Sequence, residues 1–483
     1  MKVHPAIPHS TLFHALTSSK NGTQPIFLQS GRRSSIILFE PPSAAWEIYM
    51  SEFVMKRCAV NDIGHLTLDG VDTVEMANKY GTPLYLLSED GVRYNCRTYV
   101  NAIRENFGDG SYPCFASKAL SFKGIYSIVS EEGMGSDAVS AGELYTANAA
   151  GFDMSRVFFH GNNKTDFDIE YAIGLGVGWF VVDNADELEV LDRIAGKMGV
   201  KQKILLRITP GIDPHTHQAI ATGKVDSKFG SAIATGQAQE IVSLALSKSN
   251  LELHGYHCHI GSQIFEVEPF IQAAEIMIGF IAEIKNKFGF EADVLNLGGG
   301  FGVRYVKEHP YFDYAGAIAA LADSIKKSCF KKKVSVPKII LEPGRAIVAD
   351  TCLTLYTVGS VKNIPEIKNY VSVDGGMPDN PRYALYQSQY EFVVANRASE
   401  TADYVCSVAG RCCESGDLLG ENVTIQSPQK GDILAVELTG AYNYSMASNY
   451  NRLPRPALVA LSGGNDKVVV KRETFEDLIK NDI

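Results

Sequence analysis

The chain has 483 residues, enough for two or three domains, and its 45% hydrophobic content is ample for sizeable cores. A net charge of −10 without a long basic run argues against nucleic acid or an anionic membrane as the main partner. No apolar stretch approaches the roughly 20 residues of a membrane span. The nine cysteines lack paired spacing, which favours a reducing compartment over a disulfide framework.

Residues 1–54 differ in composition from the rest of the chain. Their first acidic residue is Glu40, and basic residues with much Ser, Thr and His precede it. We expect an extension that is disordered or not native, because an ordinary-looking start follows Met50 and Met55. A transit peptide for plastid import is the alternative. Without a clean cleavage site, the expected location is the cytoplasm.

Both ends of the chain predict a β domain. Gly64–Val74 is strand-like, and we expect it to pair with C-terminal strands, so that residues 55–88 join that domain. From about Thr351, short runs rich in Val, Ile, Tyr and Thr predict an antiparallel β domain over 351–483. These runs are Val358–Val361, Tyr370–Val373, Tyr404–Val408, Asn422–Ile425, Asp432–Val436 and Ala457–Ala460.

Eight apolar runs lie between these segments, separated by stretches long enough for helices, such as Ala141–Ala150 and Phe270–Phe288. Strands that alternate with helices indicate a parallel sheet, and eight such units predict a closed (β/α)8 barrel of the TIM type over residues 89–350. The runs are Tyr112–Ala116, Gly135–Val139, Val157–His160, Trp179–Val182, Ile204–Ile208, Leu253–His259, Val294–Leu297 and Lys338–Leu341.

Polar residues gather where these strands end, which is where such barrels carry their chemistry. They are Lys118, Asp137, Asn162, Arg207, His259, Gly298–Gly300 and Glu342–Arg345. One lysine, one glycine run and one carboxylate on a single rim would suit a pyridoxal phosphate enzyme. We expect desolvation to lower the pKa of Lys118, so that its neutral amine is available for a Schiff base. An ordinary lysine that starts the next helix is the alternative.

Two loops predict contacts to a cofactor. Gly298–Gly300 lets backbone N–H groups approach a phosphate without an intervening Cβ, although a flexible turn is the alternative. His257 and His259 share a strand face, which makes zinc conceivable. No third ligand with convincing spacing is visible, so we expect no metal. An imidazole over a cofactor ring, with Gly261 and Ser262 below its phosphate, explains the loop better, and a core histidine remains open.

Glu342 and Arg345 close the eighth strand. A buried carboxylate beside a pyridine nitrogen keeps that nitrogen protonated, and an arginine offers two parallel donors to a phosphate or carboxylate. A structural ion pair is the alternative. Near the C-terminus, a cysteine flanked by acidic residues in 412–417 is expected to have a raised pKa and to suit a proton donor.

The order of these motifs resembles that of the fold type III pyridoxal phosphate-dependent decarboxylases, whose barrel and β domain are similar to those of alanine racemase. The resemblance covers about Cys58 to Ile483. It rests on Phe115–Lys118, Ser140–Leu144, His160–Lys164, Asp213–His217, Ser227–Gly230, His257–Gln263, Gly298–Gly302, Glu342–Arg345, Cys413–Asp417 and Ala441–Ser448, with Tyr450-Asn451 and Arg455-Pro456.

The resemblance implies pyridoxal 5'-phosphate bound covalently by Lys118, with His259 on its ring and Glu342 at its ring nitrogen. It implies phosphate contacts from Ser262, Gly298, Gly299, Gly300, Gly344, Arg345 and Tyr442. It also implies a homodimer with shared active sites. The distal end of a small amino-acid substrate would then be held by Arg345, Arg382, Tyr386 and Tyr442, with Cys413 (as proton donor) and Glu414 reaching in from the partner subunit.

The sequence Cys413-Glu414-Ser415 resembles the branch that acts on diaminopimelate, whereas ornithine decarboxylases carry Cys-Asp there. We therefore expect decarboxylation of meso-2,6-diaminopimelate to L-lysine and CO2, the last step of lysine biosynthesis. A related decarboxylase of ornithine, lysine, arginine or a D-amino acid is the alternative, and a non-catalytic binding relative is a third. Two departures affect loops: Arg411 stands where the family usually has proline, and Pro378 and Pro381 stiffen the approach to Arg382.

Overall fold

The computed structural model describes residues 53–212 and 227–483. The expected N-terminal extension lies almost wholly outside these ranges, and so does the motif Asp213-Pro214-His215-Thr216-His217. Within the described ranges, no helix combines the length and the apolar character that crossing a membrane requires.

The first described elements form a small antiparallel sheet of β1 (Cys58–Val60), β2 (Leu66–Leu68) and β3 (Val71–Asp72). The prediction that Gly64–Val74 pairs with the C-terminal strands was wrong. Asp69 and Gly70 both have positive φ, 51° and 78°, so the segment folds back as a tight hairpin and β2 pairs with β1 and β3 instead. There follow α1 (Thr73–Tyr80), β4 (Leu84–Ser88) and α2 (Glu89–Phe107).

The barrel follows, as its eight apolar runs predicted. Its strands are β5 (Tyr112–Ala116), β6 (Gly135–Ala138), β7 (Val157–Phe159), β8 (Trp179–Val182), β9 (Gln202–Thr209), β11 (Leu251–His257), β12 (Val294–Asn296) and β13 (Lys338–Leu341), with the two-residue β10 (Ser231–Ala232) on the side of β9. Its helices are α3 (Lys123–Glu131), α4 (Ala141–Ala149), α5 (Asp166–Gly174), α6 (Ala185–Met198), α7 (Gln237–Leu246), α8 (Glu268–Phe288), α9 (Tyr314–Lys332) and α10 (Arg345–Val348).

Parallel pairing of β13 with β5 and of β8 with β9 closes the ring. The barrel interior is filled by side chains rather than open, as in other eight-stranded barrels. Phe158 stacks on Trp179 with ring centroids 5.4 Å apart, and Leu205 and Ile340 belong to the same buried cluster. This packing holds all eight strand ends at one rim.

Local sequence sets where the barrel helices begin and end, as α6 shows. The Asn184 side chain accepts a hydrogen bond from the Glu187 backbone N–H, which satisfies a free donor of the first turn. Gly199 ends the helix in the left-handed region, with φ of 69°. Leu188 and Leu191 are buried on the face toward the strands, so the polar ends of β8 and β9 stay at the rim.

The second sheet is mostly antiparallel and has the strand order β18-β17-β15-β14-β4-β20-β21. β4, from before the barrel, lies between β14 and β20, and the pairs β4–β20 and β15–β17 are parallel. Its further elements are β14 (Cys352–Ile364), β15 (Lys368–Val373), α11 (Arg382–Tyr386), β16 (Phe392–Val394), β17 (Ala402–Ala409), β18 (Leu418–Gln426), β19 (Ile433–Val436), β20 (Ala457–Ser462), β21 (Asn465–Val470) and α12 (Phe475–Ile479).

Candidate active site

A cavity of about 540 Å³ opens at the carboxyl ends of the barrel strands. Because parallel strands end at the same rim, residues far apart in sequence meet there. The cavity is lined from the barrel by Lys118, Asp137, His160, Arg207, His257, His259, Ser262, Gly299, Gly300, Glu342, Gly344 and Arg345, and from the β domain by Arg382, Tyr386 and Tyr442.

Lys118 lies in a single 3-10 turn, Ser117–Ala119, directly after β5, and its side chain is exposed to the cavity. Burial of the site by itself lowers the pKa of the ammonium group, but Tyr442 and Asp137 oppose it and leave that pKa above its ordinary value. The predicted lowering was wrong in direction, because it considered desolvation without the acidic groups at the same rim. Lys118 must therefore give up a proton before its amine attacks a carbonyl group.

Asp137 is a buried carboxyl group in the same cavity. Its Oδ1 accepts a hydrogen bond of 3.0 Å from the Ser117 backbone N–H, which fixes it beside the turn that carries Lys118. Burial raises the pKa of Asp137 well above the ordinary carboxyl range, and the charge on Glu342 raises it further. A raised pKa means that this carboxyl group binds a proton more readily than an ordinary one.

Glu342 is held by three donors at the ends of three different strands. Asn296 Nδ2 donates to Oε1 at 2.6 Å, and His160 Nε2 lies 2.7 Å from the same oxygen. His257 Nε2 lies 3.2 Å from Oε2. Burial alone raises the pKa of the Glu342 carboxyl, but these partners outweigh it and hold that pKa well below its ordinary value. Glu342 is therefore a fixed anion on the cavity wall.

The two histidines act as neutral donors. Burial lowers the pKa of His160 and lowers the pKa of His257 to about 4. Each ring then carries its proton on Nε2, toward Glu342, and His257 Nδ1 is left buried without a hydrogen-bond partner among the described residues. His160, His257 and Glu342 are also close enough to ligate a metal, but they already satisfy one another directly. The sequence pattern paired His257 with His259 instead.

The glycine run forms a cradle that no larger residue would fit. A Cβ on Gly299 would lie closer than 3.0 Å to the Glu342 carbonyl oxygen, and one on Gly300 would meet the Gly261 carbonyl equally closely. Gly298 has a φ of 68°, and its carbonyl accepts from the Glu342 N–H at 2.7 Å. Bare backbone therefore faces the cavity at the point where a phosphate needs N–H donors.

Two buried arginines face the cavity, and neither has a carboxylate partner in the part of the chain that the structure describes. Arg345 donates to Tyr305 Oη at 2.9 Å and to Ser262 Oγ at 3.2 Å, and Arg382 donates to Ser388 Oγ at 3.4 Å. Among the described residues, the Nε atoms of both arginines are buried without a hydrogen-bond acceptor. Both guanidinium groups lie over the Tyr442 ring, 4.9 and 5.2 Å from its centroid. Buried cations with free donors on one cavity indicate an anionic ligand.

Tyr442 joins the β domain to the lysine turn. Its backbone has a φ of 66°, which is uncommon for a residue with a side chain. In this conformation its N–H donates to the Ala119 carbonyl at 2.7 Å, and its ring faces the cavity beside Arg345. His259 also lines the cavity, close to Gly298, and burial together with the charge on Lys118 lowers the pKa of its imidazole well below the ordinary value.

Comparison with known proteins agrees with this geometry. The family model described as "Pyridoxal-dependent decarboxylase, pyridoxal binding domain" matches residues 94–349. The diaminopimelate decarboxylase of Bacillus methanolicus is 46% identical over 414 residues, which cover 86% of this chain and 96% of that protein. The Bacillus subtilis diaminopimelate decarboxylase is 44% identical, with 88% and 96% covered. This chain belongs to the diaminopimelate decarboxylase family. It is thus one of the pyridoxal-dependent carboxy-lyases.

Solved structures of the family have the same fold. Diaminopimelate decarboxylase from M. jannaschii, crystallised with L-lysine, has a TM-score of 0.82 and 34% identity, covering 89% of this chain and 98% of that one. The Helicobacter pylori enzyme, also complexed with L-lysine, has a TM-score of 0.77 and 33% identity, with 85% and 98% covered. The predicted barrel and β domain are confirmed.

Three predicted site residues do not line this cavity, namely Gly298, Cys413 and Glu414. Cys413 and Glu414 are exposed, in the loop between β17 and β18. The Cys413 backbone N–H is held by Asn451 Oδ1 at 2.9 Å. The neighbouring Cys412 is half-buried, and burial with the nearby Asp417 carboxylate raises its thiol pKa to about 12. Within one chain, therefore, the site contains no thiol from this loop.

The structure places at the site several residues for which the sequence predicted no such role. His160, His257 and Asn296 hold Glu342, and Tyr305 holds Arg345. Three of these four follow or end a barrel strand, a position that had singled out the other rim residues. The sequence does not show that these three side chains converge on the Glu342 carboxylate.

Proposed function

We propose that this protein decarboxylates meso-2,6-diaminopimelate to L-lysine and CO2, with pyridoxal 5'-phosphate as its cofactor. The observation that carries the proposal is that one cavity joins a lysine, an anionic carboxylate, a glycine cradle and two arginines with free donors. The names of the similar proteins, and the lysine bound in two related structures, support this choice of substrate and product.

The residues of the cavity match the chemical groups of the cofactor: a lysine for its aldehyde, an imidazole for its ring, and glycines with an arginine for its phosphate. We propose that Lys118 binds it covalently and that His259 stacks on its ring. The phosphate would lie against Ser262, Gly298, Gly299, Gly300, Gly344, Arg345 and Tyr442. When bound, the cofactor supplies an electron sink for the pair of electrons that departing CO2 leaves behind.

Glu342 determines how effective that sink is. An anionic carboxylate opposite the ring nitrogen keeps a proton on that nitrogen, and the three donors on Glu342 prevent it from turning away. The neutral histidines donate without adding positive charge, so they orient Glu342 and leave its negative charge available. Asp137 accepts the proton that Lys118 releases, and it can return that proton to the lysine later in the cycle.

At the far end of the substrate, we propose that Arg345, Arg382, Tyr386 and Tyr442 receive the second amino-acid centre. A substrate with a distal carboxylate pairs with these free guanidinium donors, whereas a simple diamine leaves them buried and unpaired. Unpaired buried charges are costly, which would reject ornithine and similar diamines.

We propose that the active form is a homodimer with shared sites, in which Cys413 and Glu414 enter the cavity of the partner subunit. The exposure of both residues and their absence from the cavity of their own chain support this arrangement. Cys413 would then protonate the carbon that has lost CO2, and Glu414 would contact the distal amine. The pairing of β4 with β14 and β20 supports a β domain that joins 84–88 to 351–483, with 89–350 as the barrel. A cytoplasmic location is part of the proposal, supported by nine free cysteines.

Glu342→Gln should lower kcat by about 10² to 10³, the usual effect of removing a preorganised electrostatic partner, with little change in cofactor content. The amide cannot hold the ring nitrogen protonated, and its NH2 group would face donors. Steady-state kinetics and cofactor titration would measure both effects. Glu437→Gln is a matched control, because Glu437 is equally buried but lies outside the cavity. Equal kcat in the two variants would contradict the role of Glu342.

The proposal is tested by product analysis of the cofactor-loaded protein with meso-diaminopimelate, L-ornithine and D-lysine in separate reactions. Lysine and CO2 from diaminopimelate alone are expected. Turnover of ornithine or D-lysine instead would retain the lysine and carboxylate chemistry but would overturn the assignment of the distal arginines.

A further inference from the structure

Asp417 is a buried carboxylate outside the cavity that joins two loops. It ends the loop between β17 and β18 and is 3% exposed. Oδ1 accepts a hydrogen bond of 2.6 Å from the Met377 backbone N–H, and Oδ2 accepts one of 2.7 Å from the Cys412 backbone N–H. One side chain therefore holds the backbone of two segments that are 35 residues apart in numbering (377 and 412).

The space around this carboxylate depends on two glycines, one in each loop. A Cβ on Gly376 would lie closer than 3.0 Å to Oδ1 of Asp417, and a Cβ on Gly410 would lie as close to Oδ2. Gly376 also has a φ of 155°, and the Gly410 N–H donates to the Asp417 carbonyl at 2.9 Å. Any larger residue at either position would push the carboxylate away. The Asp417 carboxylate is therefore packed tightly against both glycines.

Each loop carries residues of the proposed reaction. The loop that contains Met377 runs directly into α11, which begins at Arg382 and places it in the cavity of its own chain. The loop that contains Cys412 carries Cys413 one residue later. A second link joins the loops, because the Arg411 N–H donates to the Gly375 carbonyl at 2.9 Å.

We infer that Asp417 is a positioning residue that couples the two active sites of a dimer. It sets the position of Arg382 in the cavity of its own chain and that of Cys413 in the cavity of the partner. The inference rests on the proposed function and on its shared sites. A single carboxylate thus acts on substrate binding at one site and on proton donation at the other.

Hybrid dimers separate these two effects. In a dimer of one Cys413→Ala subunit and one Lys118→Ala subunit, a single complete site remains, built from Lys118 and Arg382 of the first subunit and Cys413 of the second. Asp417→Asn in the second subunit should lower kcat of that site about tenfold at unchanged KM, because one charge-assisted hydrogen bond is lost behind the proton donor. The same change in the first subunit should raise KM about tenfold, because Arg382 is displaced.

Asp432→Asn is the matched control. Asp432 is a buried aspartate of the same domain whose carboxylate also accepts a backbone hydrogen bond, from Gln429 N–H at 2.7 Å, but it touches neither loop. It should leave KM and the kcat per complete site unchanged in either subunit. Two results would overturn the inference and leave Asp417 a structural role. One is unchanged KM and kcat with Asp417→Asn in either subunit, and the other is the same effect on KM and kcat whichever subunit carries Asp417→Asn.

Two further results complete the test. The rate at which iodoacetamide alkylates Cys413, measured by mass spectrometry on the cofactor-free protein, should rise in Asp417→Asn and not in Asp432→Asn. An unchanged rate would contradict the positioning of that loop. The hybrid of Cys413→Ala and Lys118→Ala subunits, without a change at Asp417, should be active. If it is inactive while wild type is active, the sites are not shared and Asp417 cannot couple them. Wild type without activity on diaminopimelate would instead refute the proposed function.

Discussion

Lys118→Ala should lower turnover by at least about four orders of magnitude, the scale seen when a covalent catalytic group is removed. Lys118 is the lysine at the carboxyl end of β5 that faces the cavity, and the acidic neighbours Asp137 and Tyr442 are arranged around its ammonium group. Without it, the protein should still bind pyridoxal phosphate through the glycine cradle and Arg345, but not covalently. Borohydride reduction followed by mass spectrometry would detect the covalent adduct in the wild type alone.

Lys123→Ala is the control, because Lys123 is exposed at the start of α3 and lies outside the cavity. Its turnover and its adduct should equal those of the wild type. A covalent adduct of normal yield in Lys118→Ala would show that another lysine carries the cofactor and would refute the assignment.

Cys413→Ala should lower kcat by about 10² to 10⁴, the range expected for a lost general acid. Cofactor content should stay at the wild-type level, because Cys413 is not among the residues that we propose to hold the cofactor. Turnover and cofactor absorbance measured on the same preparation distinguish these effects. Ser415→Ala, an exposed position in the same loop, should leave both unchanged.

Complementation tests where Cys413 acts. Mixing the inactive Lys118→Ala and Cys413→Ala proteins after dissociation should recover about a quarter of the wild-type activity, because half of the random dimers are hybrids with one complete site. No recovery, with hybrids shown to form, would place Cys413 in its own chain's site. Full turnover of the Cys413→Ala protein alone would remove this thiol from the mechanism.

The barrel was predictable because its signal is local and repeated. Each buried parallel strand is a short apolar run, each gap is long enough for a helix, and the eight runs coincide with the eight strands within a few residues. The rim residues were predictable for the same reason, since a polar residue after a buried strand must lie at the barrel end. The hairpin at Asp69-Gly70 was also predictable in principle, because an Asp-Gly pair between two strands favours a two-residue turn.

Electrostatics was not predictable residue by residue. Desolvation of Lys118 follows from its position in one strand–turn unit, but the groups that oppose it come from β6 and from the loop after β19. Likewise, the ionised state of Glu342 depends on Asn296, His160 and His257, whose strands lie apart in sequence. Such convergence depends on the order and shear of the barrel strands, which no local pattern specifies.

By itself, the sequence determined the fold class, the lysine and glycine motifs of the cavity and the family, because apolar periodicity and short ordered motifs are properties of neighbouring residues. Only the tertiary structure decided that β4 rather than Gly64–Val74 joins the C-terminal sheet, and that the pKa of Lys118 rises rather than falls. It alone also showed Asp417 between two loops. The physical reason is that pairing, burial and charge depend on distances in space, and these are established only when the whole chain has folded.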